Sequence, residues 1–175
     1  QLKYRAYRHP LTMFLVGPLF QFVVKHRWPW NVPAAWKREW RSVHLSNLAL
    51  LGVLLLASAT LGLKNFFLVQ FPVTLLSCTA GAWLFYIQHQ YEDTYWERDD
   101  KWDYFEASIR GSSYYVLPKV LQWFTGNIGL HHIHHYNSRI PNYKLPACYA
   151  ENPEFQNVTR LTIADSLKSI HLALW

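Results

Sequence analysis

The chain has 175 residues, enough for one domain or part of one, and a net charge of +6. Its residues are 51% apolar and 17% aromatic, and its two cysteines, Cys78 and Cys148, are far apart. This composition excludes a disulfide-stabilised secreted scaffold and favours a reducing compartment. The basic residues are concentrated before residue 45, directly ahead of long apolar runs. We therefore expect a membrane surface, and no nucleic acid, as the partner of these cations.

Three apolar runs follow one another in the first half of the chain. Residues 11–24 are too short to cross a bilayer simply and are interrupted by a Gly-Pro pair, so we expect an interfacial or re-entrant segment. Residues 45–63 and 66–88 carry no charge, and each approaches the ~20 residues that a helix needs to cross the hydrocarbon layer. They predict a transmembrane helical hairpin, with Pro72 either kinking the second helix or delaying its start.

Both ends of such a hairpin emerge on one side of the membrane. A basic stretch from Lys37 to Arg41 precedes the first span, so the positive-inside rule places these ends in the cytoplasm. Residues 89–175 then form a cytoplasmic cap, which we expect to be helical over residues 113–135 and again over residues 164–175. The predicted fold is all-α, an integral membrane helical hairpin with a cytoplasmic helical cap. The alternative is a pair of buried helices in a soluble protein.

Four histidines within residues 131–135 are the strongest functional signal. On a helix, His131, His134 and His135 stand at i, i+3 and i+4 and share one face, whereas His132 points elsewhere. Three imidazoles on one face can converge on one metal ion or on a close pair. A solvated tract, or histidines satisfied in a core, is the alternative, but short histidine-rich tracts typically bind metal.

His89 is a second candidate ligand, because it follows the second apolar run and should emerge at the same membrane face as the cluster. Glu92 and Asp93 follow it at i+3 and i+4, where they could accept the other ring N–H of a metal-bound histidine. The alternative for these two acids is a solvated acidic face. Asn127, one turn before His131, either binds a metal-bound water or caps a turn, and we favour the turn.

The chemistry of an all-histidine site depends on its surroundings. Such sites bind Zn, Cu, Fe or Ni, and the chain could supply the three ligands of a zinc hydrolase. A metal site at the face of a bilayer, however, indicates a lipid substrate. An unactivated acyl C–H bond requires an oxidising metal cofactor rather than hydrolysis, so we expect oxygen-dependent chemistry.

Several segments resemble the membrane fatty acid desaturase family, and most of all its bacterial acyl-lipid group of delta-12 or omega-6 type. They are residues 88–99 (QHQYEDTYWERD), 111–114 and 140–143, which accompany the HxxHH spacing of the histidine cluster and the preceding hairpin. The resemblance covers essentially the whole chain. It implies a multi-pass helical protein of the bacterial inner membrane, with four main spans and its active site in a cytoplasmic cap.

The resemblance also implies a cofactor and a reaction. Family members hold two iron ions with three histidine boxes and one additional histidine. His131, His134 and His135 match the third box, and His89 matches the additional histidine. The implied reaction is the O₂-dependent removal of two hydrogens from the acyl chain of a membrane lipid, with electrons from ferredoxin or a similar donor.

Outside the cluster at residues 131–135, which matches the third box, no histidines of the chain have the spacing of the first box (HxxxH) or the second box (HxxHH). We therefore expect the chain to be the C-terminal half of a desaturase, and to be inactive by itself because four histidines cannot hold two irons in the family's manner. Related lipid hydroxylases and conjugases share the scaffold. Two other classes stay open, a haem-binding membrane protein and a non-catalytic metal-binding membrane subunit.

Overall fold

The computed structural model describes residues 2–172, and the chain forms two compact units, one ending at Trp83 and the other beginning at Leu84. A helical run opens the first unit and contains the apolar segment 11–24. Two π-helical turns of this run lie on either side of Pro18, which has no N–H to donate to a regular α-helical hydrogen-bond pattern. The interfacial or re-entrant placement of this segment stays a prediction. The run consists of α1 (Leu2–Arg8), a π-helical turn (Thr12–Val16), α2 (Gly17–Leu19), a second π-helical turn (Phe20–Val24) and a 3-10 turn (Lys25–Arg27).

Two long helices follow, α3 (Lys37–Leu61) and α4 (Leu63–His89), separated only by Gly62 with φ +81°. Helix α3 begins eight residues before the predicted span 45–63 and ends two residues before it does, whereas α4 extends beyond the predicted span 66–88 at both ends. The basic stretch that was expected to flank the first span forms the opening turns of α3. A late start of α4 at Pro72 is wrong, because the helix begins at Leu63 and continues through the proline. An apolar helix tolerates the one backbone hydrogen bond that proline removes when nearby groups satisfy the freed carbonyl.

Most of the large apolar side chains of α3 and α4 are exposed. The two helices are long and apolar enough to cross a membrane, with mean hydropathies of 1.7 and 1.5. No side chain of α3 is buried, and Leu56 and Leu68 are 67% and 65% exposed. Burial within a soluble core, the alternative reading of these helices, is therefore not what the described residues show. Lipid is the environment in which such side chains cost no hydrophobic free energy.

The second unit is built from short helices around a small core. Its core side chains are Ile109, Leu130, Ile133, Leu145 and Phe155. After the end of α4 come α5 (Tyr104–Arg110), β1 (Tyr114–Tyr115), α6 (Lys119–Phe124), α7 (His131–Tyr136), α8 (Leu145–Glu151), β2 (Arg160–Leu161) and α9 (Ile163–Lys168), with 3-10 turns at Asn142–Lys144, Pro153–Gln156 and Ser169–His171.

The prediction of a mostly helical fold is confirmed; its one addition among the described residues is a short parallel pairing of β1 with β2, with Tyr114 opposite Arg160. A continuous helix over residues 113–135 is wrong, because β1 and a loop after α6 interrupt it. Within that loop Gly126 and Asn127 both have positive φ, at 62° and 59°, which a helix cannot accommodate. The helix predicted over 164–175 is found as α9 and the following 3-10 turn, and residues 173–175 lie outside the described part.

Candidate metal centre

Helix α7 has one face in the core and one face outside it. Ile133 and His132 are fully buried, and the His132 Nε2–H donates to the carbonyl oxygen of Phe155 at 3.0 Å. His131 and His135, one turn apart, project from the other face. The hydroxyl of Tyr104 on α5 donates to the carbonyl oxygens of His135 and Tyr136, at 3.2 and 2.6 Å. The core contacts and this tyrosine fix the helix that carries the cluster, and the expectation that His132 points elsewhere is confirmed.

The end of α4 brings His89 to the same place. The last carbonyl groups of a helix lack partners within it and must find them elsewhere. Here the Ser113 N–H donates to the carbonyl of Gln88 at 3.0 Å, and the Ser113 hydroxyl donates to the carbonyl of Ile87 at 3.3 Å. The His89 ring faces the carbonyl oxygen of Gly111 with its Nδ1, 3.4 Å away. Because a carbonyl only accepts, Nδ1 carries the proton and Nε2 keeps its lone pair.

Three imidazole nitrogens converge. The Nε2 atoms of His89 and His131 are 3.1 Å apart, those of His131 and His135 are 3.1 Å apart, and those of His89 and His135 are 3.4 Å apart. Nitrogens that ligate one ion at about 2.0–2.1 Å stand roughly 3–3.4 Å from one another. The triangle therefore has the dimensions of a three-histidine metal site, and these residues form a possible metal-binding group.

Hydrogen bonding alone cannot satisfy this triangle. Each neutral Nε2 either carries a proton or offers a lone pair, never both. Among three mutually adjacent atoms at least one pair must then be alike, and that contact is repulsive. A cation at the centre removes the conflict, because all three lone pairs point to it. The three Nε2 atoms therefore fit a metal ion, because only a cation satisfies all of them at once.

The protonation states of the cluster also suit a metal. Burial, followed by the charges of neighbouring imidazoles led by His135, lowers the pKa of His131 to about 3. Burial and then the charges of His89 and His134 lower the pKa of His135. Both rings are therefore neutral near pH 7, and the neutral imidazole is the form that ligates metal.

His134 stands beside the triangle rather than in it. Its ring stacks on that of His131 with centroids 5.6 Å apart, and lies 6.4 Å from the ring of His135. The structure thus places three of the four predicted ligands, His89, His131 and His135, around one point. His134 is adjacent, on the side of His131.

The predicted accessory residues lie elsewhere. Helix α4 ends at His89, so Glu92 and Asp93 do not lie one helical turn beyond its ring as predicted. Asp93 has a positive φ of +61°, which is not helical. Both acids line a cavity of about 310 Å³ together with Asp165 and Lys168. The partner of the His89 ring is a backbone carbonyl instead. Asn127 lies in the turn before α7, and its side chain donates to the carbonyl of Asn142 at 3.1 Å, in agreement with the turn that we favoured.

Two supporting features were missed by the sequence interpretation, the Gly111 carbonyl and the Tyr104 hydroxyl. A glycine directly after a helix was a usable signal for Gly111. A Cβ atom at this position would overlap the carbonyl oxygen of Ala107. The glycine thus permits the tight turn that presents its own carbonyl to His89. The role of Tyr104 could not be predicted from neighbouring residues, because its hydroxyl bonds to a carbonyl 32 residues later in the sequence.

Comparison with known proteins identifies the family. The family model described as "Fatty acid desaturase" matches residues 2–164. A protein of Bacillus subtilis (strain 168), also described as "Fatty acid desaturase", is 42% identical over 175 residues, which is 100% of this chain and 49% of that protein. The chain thus spans about half the length of this curated relative, and no solved structure matches it. Because the family model covers most of the chain, the resemblance seen in the sequence is confirmed, and the chain belongs to the fatty acid desaturase family.

Proposed function

We propose that this chain is the part of an O₂-dependent di-iron fatty acyl desaturase that carries the third histidine box. The triangle of Nε2 atoms of His89, His131 and His135 supports the proposal, because it suits one metal ion. His134 lies beside His131 and is the available ligand for a second iron. The remaining ligands would come from residues outside these 175.

The lengths and hydropathies of α3 and α4 support a placement of the protein in a membrane. Both helices are long and apolar enough to span a bilayer. The basic residues in the opening turns of α3 favour a cytoplasmic location for that end of the helix. We propose that the histidine site faces the cytoplasm of a bacterial inner membrane. The substrate would be the acyl chain of a membrane lipid, and the electron donor would be ferredoxin or a similar carrier.

Bound iron would supply the oxidising power, with O₂, to break unactivated C–H bonds. Two hydrogens leave neighbouring acyl carbons, the donor supplies two electrons, two protons are taken up, and O₂ is reduced to two waters. The protein holds its ligands ready for this chemistry. The Gly111 carbonyl keeps the proton of His89 on Nδ1, and burial keeps His131 neutral.

A second candidate is a non-catalytic membrane subunit that binds zinc. Three histidines around one point meet the requirement of a single zinc ion, so the triangle itself favours this candidate alongside the first. Lipid hydroxylases and conjugases remain alternatives within the same scaffold, because their products differ while their metal ligands need not.

Expression of the complete gene in a bacterium that lacks the matching desaturase tests the proposal. Gas chromatography of the membrane lipids should reveal a new unsaturated acyl chain. The variant His131→Ala should abolish it, whereas His171→Ala, at an exposed position, should not. The 175-residue chain alone should give no product. A hydroxylated or conjugated product would reassign the reaction, and zinc without any product would favour the subunit.

A further inference from the structure

Gln88 is a buried polar residue directly before a ligand histidine. It is 1% exposed, although an unpaired buried amide costs free energy. Its side-chain Nε2 donates to the carbonyl oxygen of Ile128 at 2.6 Å. Its backbone carbonyl accepts the N–H of Ser113 at 3.0 Å. The residue is thus fixed at two points that lie far apart in sequence.

The two anchor points belong to the segments that build the metal site. Ile128 lies in the loop that enters α7, three residues before His131. Ser113 lies two residues after Gly111, whose carbonyl faces the His89 ring. Gln88 therefore joins the end of α4 both to the start of the ligand helix and to the turn that orients His89.

We propose that Gln88 is a positioning residue that holds His89 in register with His131 and His135. The inference rests on the metal site proposed above. Gln88 does not contact the ion. Nitrogen separations of 3.1 and 3.4 Å span two separate helices, and ligand constellations must be held within about 0.5 Å to stay productive. Without the hydrogen bond from the Gln88 side chain to Ile128, the end of α4 keeps its bonds to Ser113 but loses its link to the loop before α7, and the triangle opens.

The test uses the 175-residue chain in lipid nanodiscs, with Co²⁺ as the probe. Gln88→Met keeps a side chain of similar length but removes the N–H donor. Gln90→Met makes the same change two residues later, at a partly exposed position, and is the matched control. The readouts are the dissociation constant for Co²⁺, the visible absorption spectrum of bound Co²⁺, and the thermal midpoint of the metal-free protein.

We expect Gln88→Met to weaken Co²⁺ binding about tenfold, at the low end of the ten- to hundredfold effect of outer-shell partners, and to alter the Co²⁺ spectrum. Gln90→Met should change neither. A lower thermal midpoint with an unchanged dissociation constant and spectrum would make Gln88 merely structural and overturn the inference. If Gln88→Met does not fold, Gln88→Asn, which keeps the amide but shortens it, takes its place with Gln90→Asn as control. Wild-type affinity in folded Gln88→Asn would be equally decisive against positioning.

The two levels of the hypothesis can be told apart. If the wild-type chain is folded, as its thermal transition shows, and binds no Co²⁺, the metal site itself is wrong. If the wild type binds and Gln88→Met binds equally well, the metal site stands and only the role of Gln88 is refuted.

Discussion

Removing the buried imidazole of His132 should make the second unit more resistant to acid. Burial lowers the pKa of His132 to about 4 from an ordinary value of 6.5, although its hydrogen bond to the Phe155 carbonyl opposes the shift. Above about pH 6.5 the ring is neutral in both the folded and the unfolded chain, so it adds no pH dependence. As the pH falls from 6.5 toward 4, the unfolded chain takes up a proton that the folded chain does not, and stability is lost.

The size of this loss follows from the shift. Each unit of pKa difference corresponds to about 1.4 kcal/mol, so His132 removes about 2.5 kcal/mol of unfolding free energy between about pH 7.5 and pH 4.5. The variant His132→Gln keeps an N–H donor for the Phe155 carbonyl but does not titrate in this range. It should therefore lose about 2.5 kcal/mol less than the wild type over the same pH interval.

The assay is chemical unfolding of the metal-free protein in micelles, followed by tryptophan fluorescence at several pH values. His171→Gln, at an exposed position of a 3-10 turn, controls for the loss of a histidine as such. Parallel stability losses in the wild type and His132→Gln would refute the reasoning, because the acid sensitivity would then come from other groups.

Three further predictions concern the metal centre. Burial lowers the pKa of His131 to about 3 and also lowers that of His135, so both rings stay neutral down to pH 6. Affinity for Co²⁺ should therefore fall less than about fivefold between pH 7.5 and pH 6. A steeper loss of affinity in metal titrations would contradict the claim that the ligands are neutral. Tyr104→Phe removes the hydroxyl that donates to two carbonyl groups at the end of α7 and should cost about 0.5–1 kcal/mol of unfolding free energy, since water reaches this half-exposed site; no change in chemical unfolding would contradict this. Gly111→Ala should displace the carbonyl that faces His89 and weaken Co²⁺ binding several-fold, whereas wild-type affinity would show that this carbonyl is dispensable.

Local patterns predicted the part of the site that one helix carries. The i, i+3, i+4 spacing placed His131, His134 and His135 on one face of a helix and His132 off that face; the structure brings His131 and His135 together and sets His134 beside them. The apolar runs gave the two long helices, because length and hydropathy are properties of single segments.

Features that depend on distant segments were beyond the sequence. Glu92 and Asp93 were expected to bond to the ring of His89, which requires a helix that continues past His89. The helix ends at that residue, and the ring faces the carbonyl oxygen of Gly111 instead. The strand pairing of residues 114–115 with residues 160–161 is non-local and has no periodic signature in two residues.

The central claim is that His89, His131 and His135 hold one metal ion. X-ray absorption spectroscopy of the Co²⁺-loaded chain tests it most directly, with each ligand replaced in turn by alanine. We predict about one ion per chain, with three imidazole nitrogens at about 2.0–2.1 Å, and loss of that signal in each of the three variants but not in His171→Ala. Binding that survives replacement of all three histidines would contradict the claim.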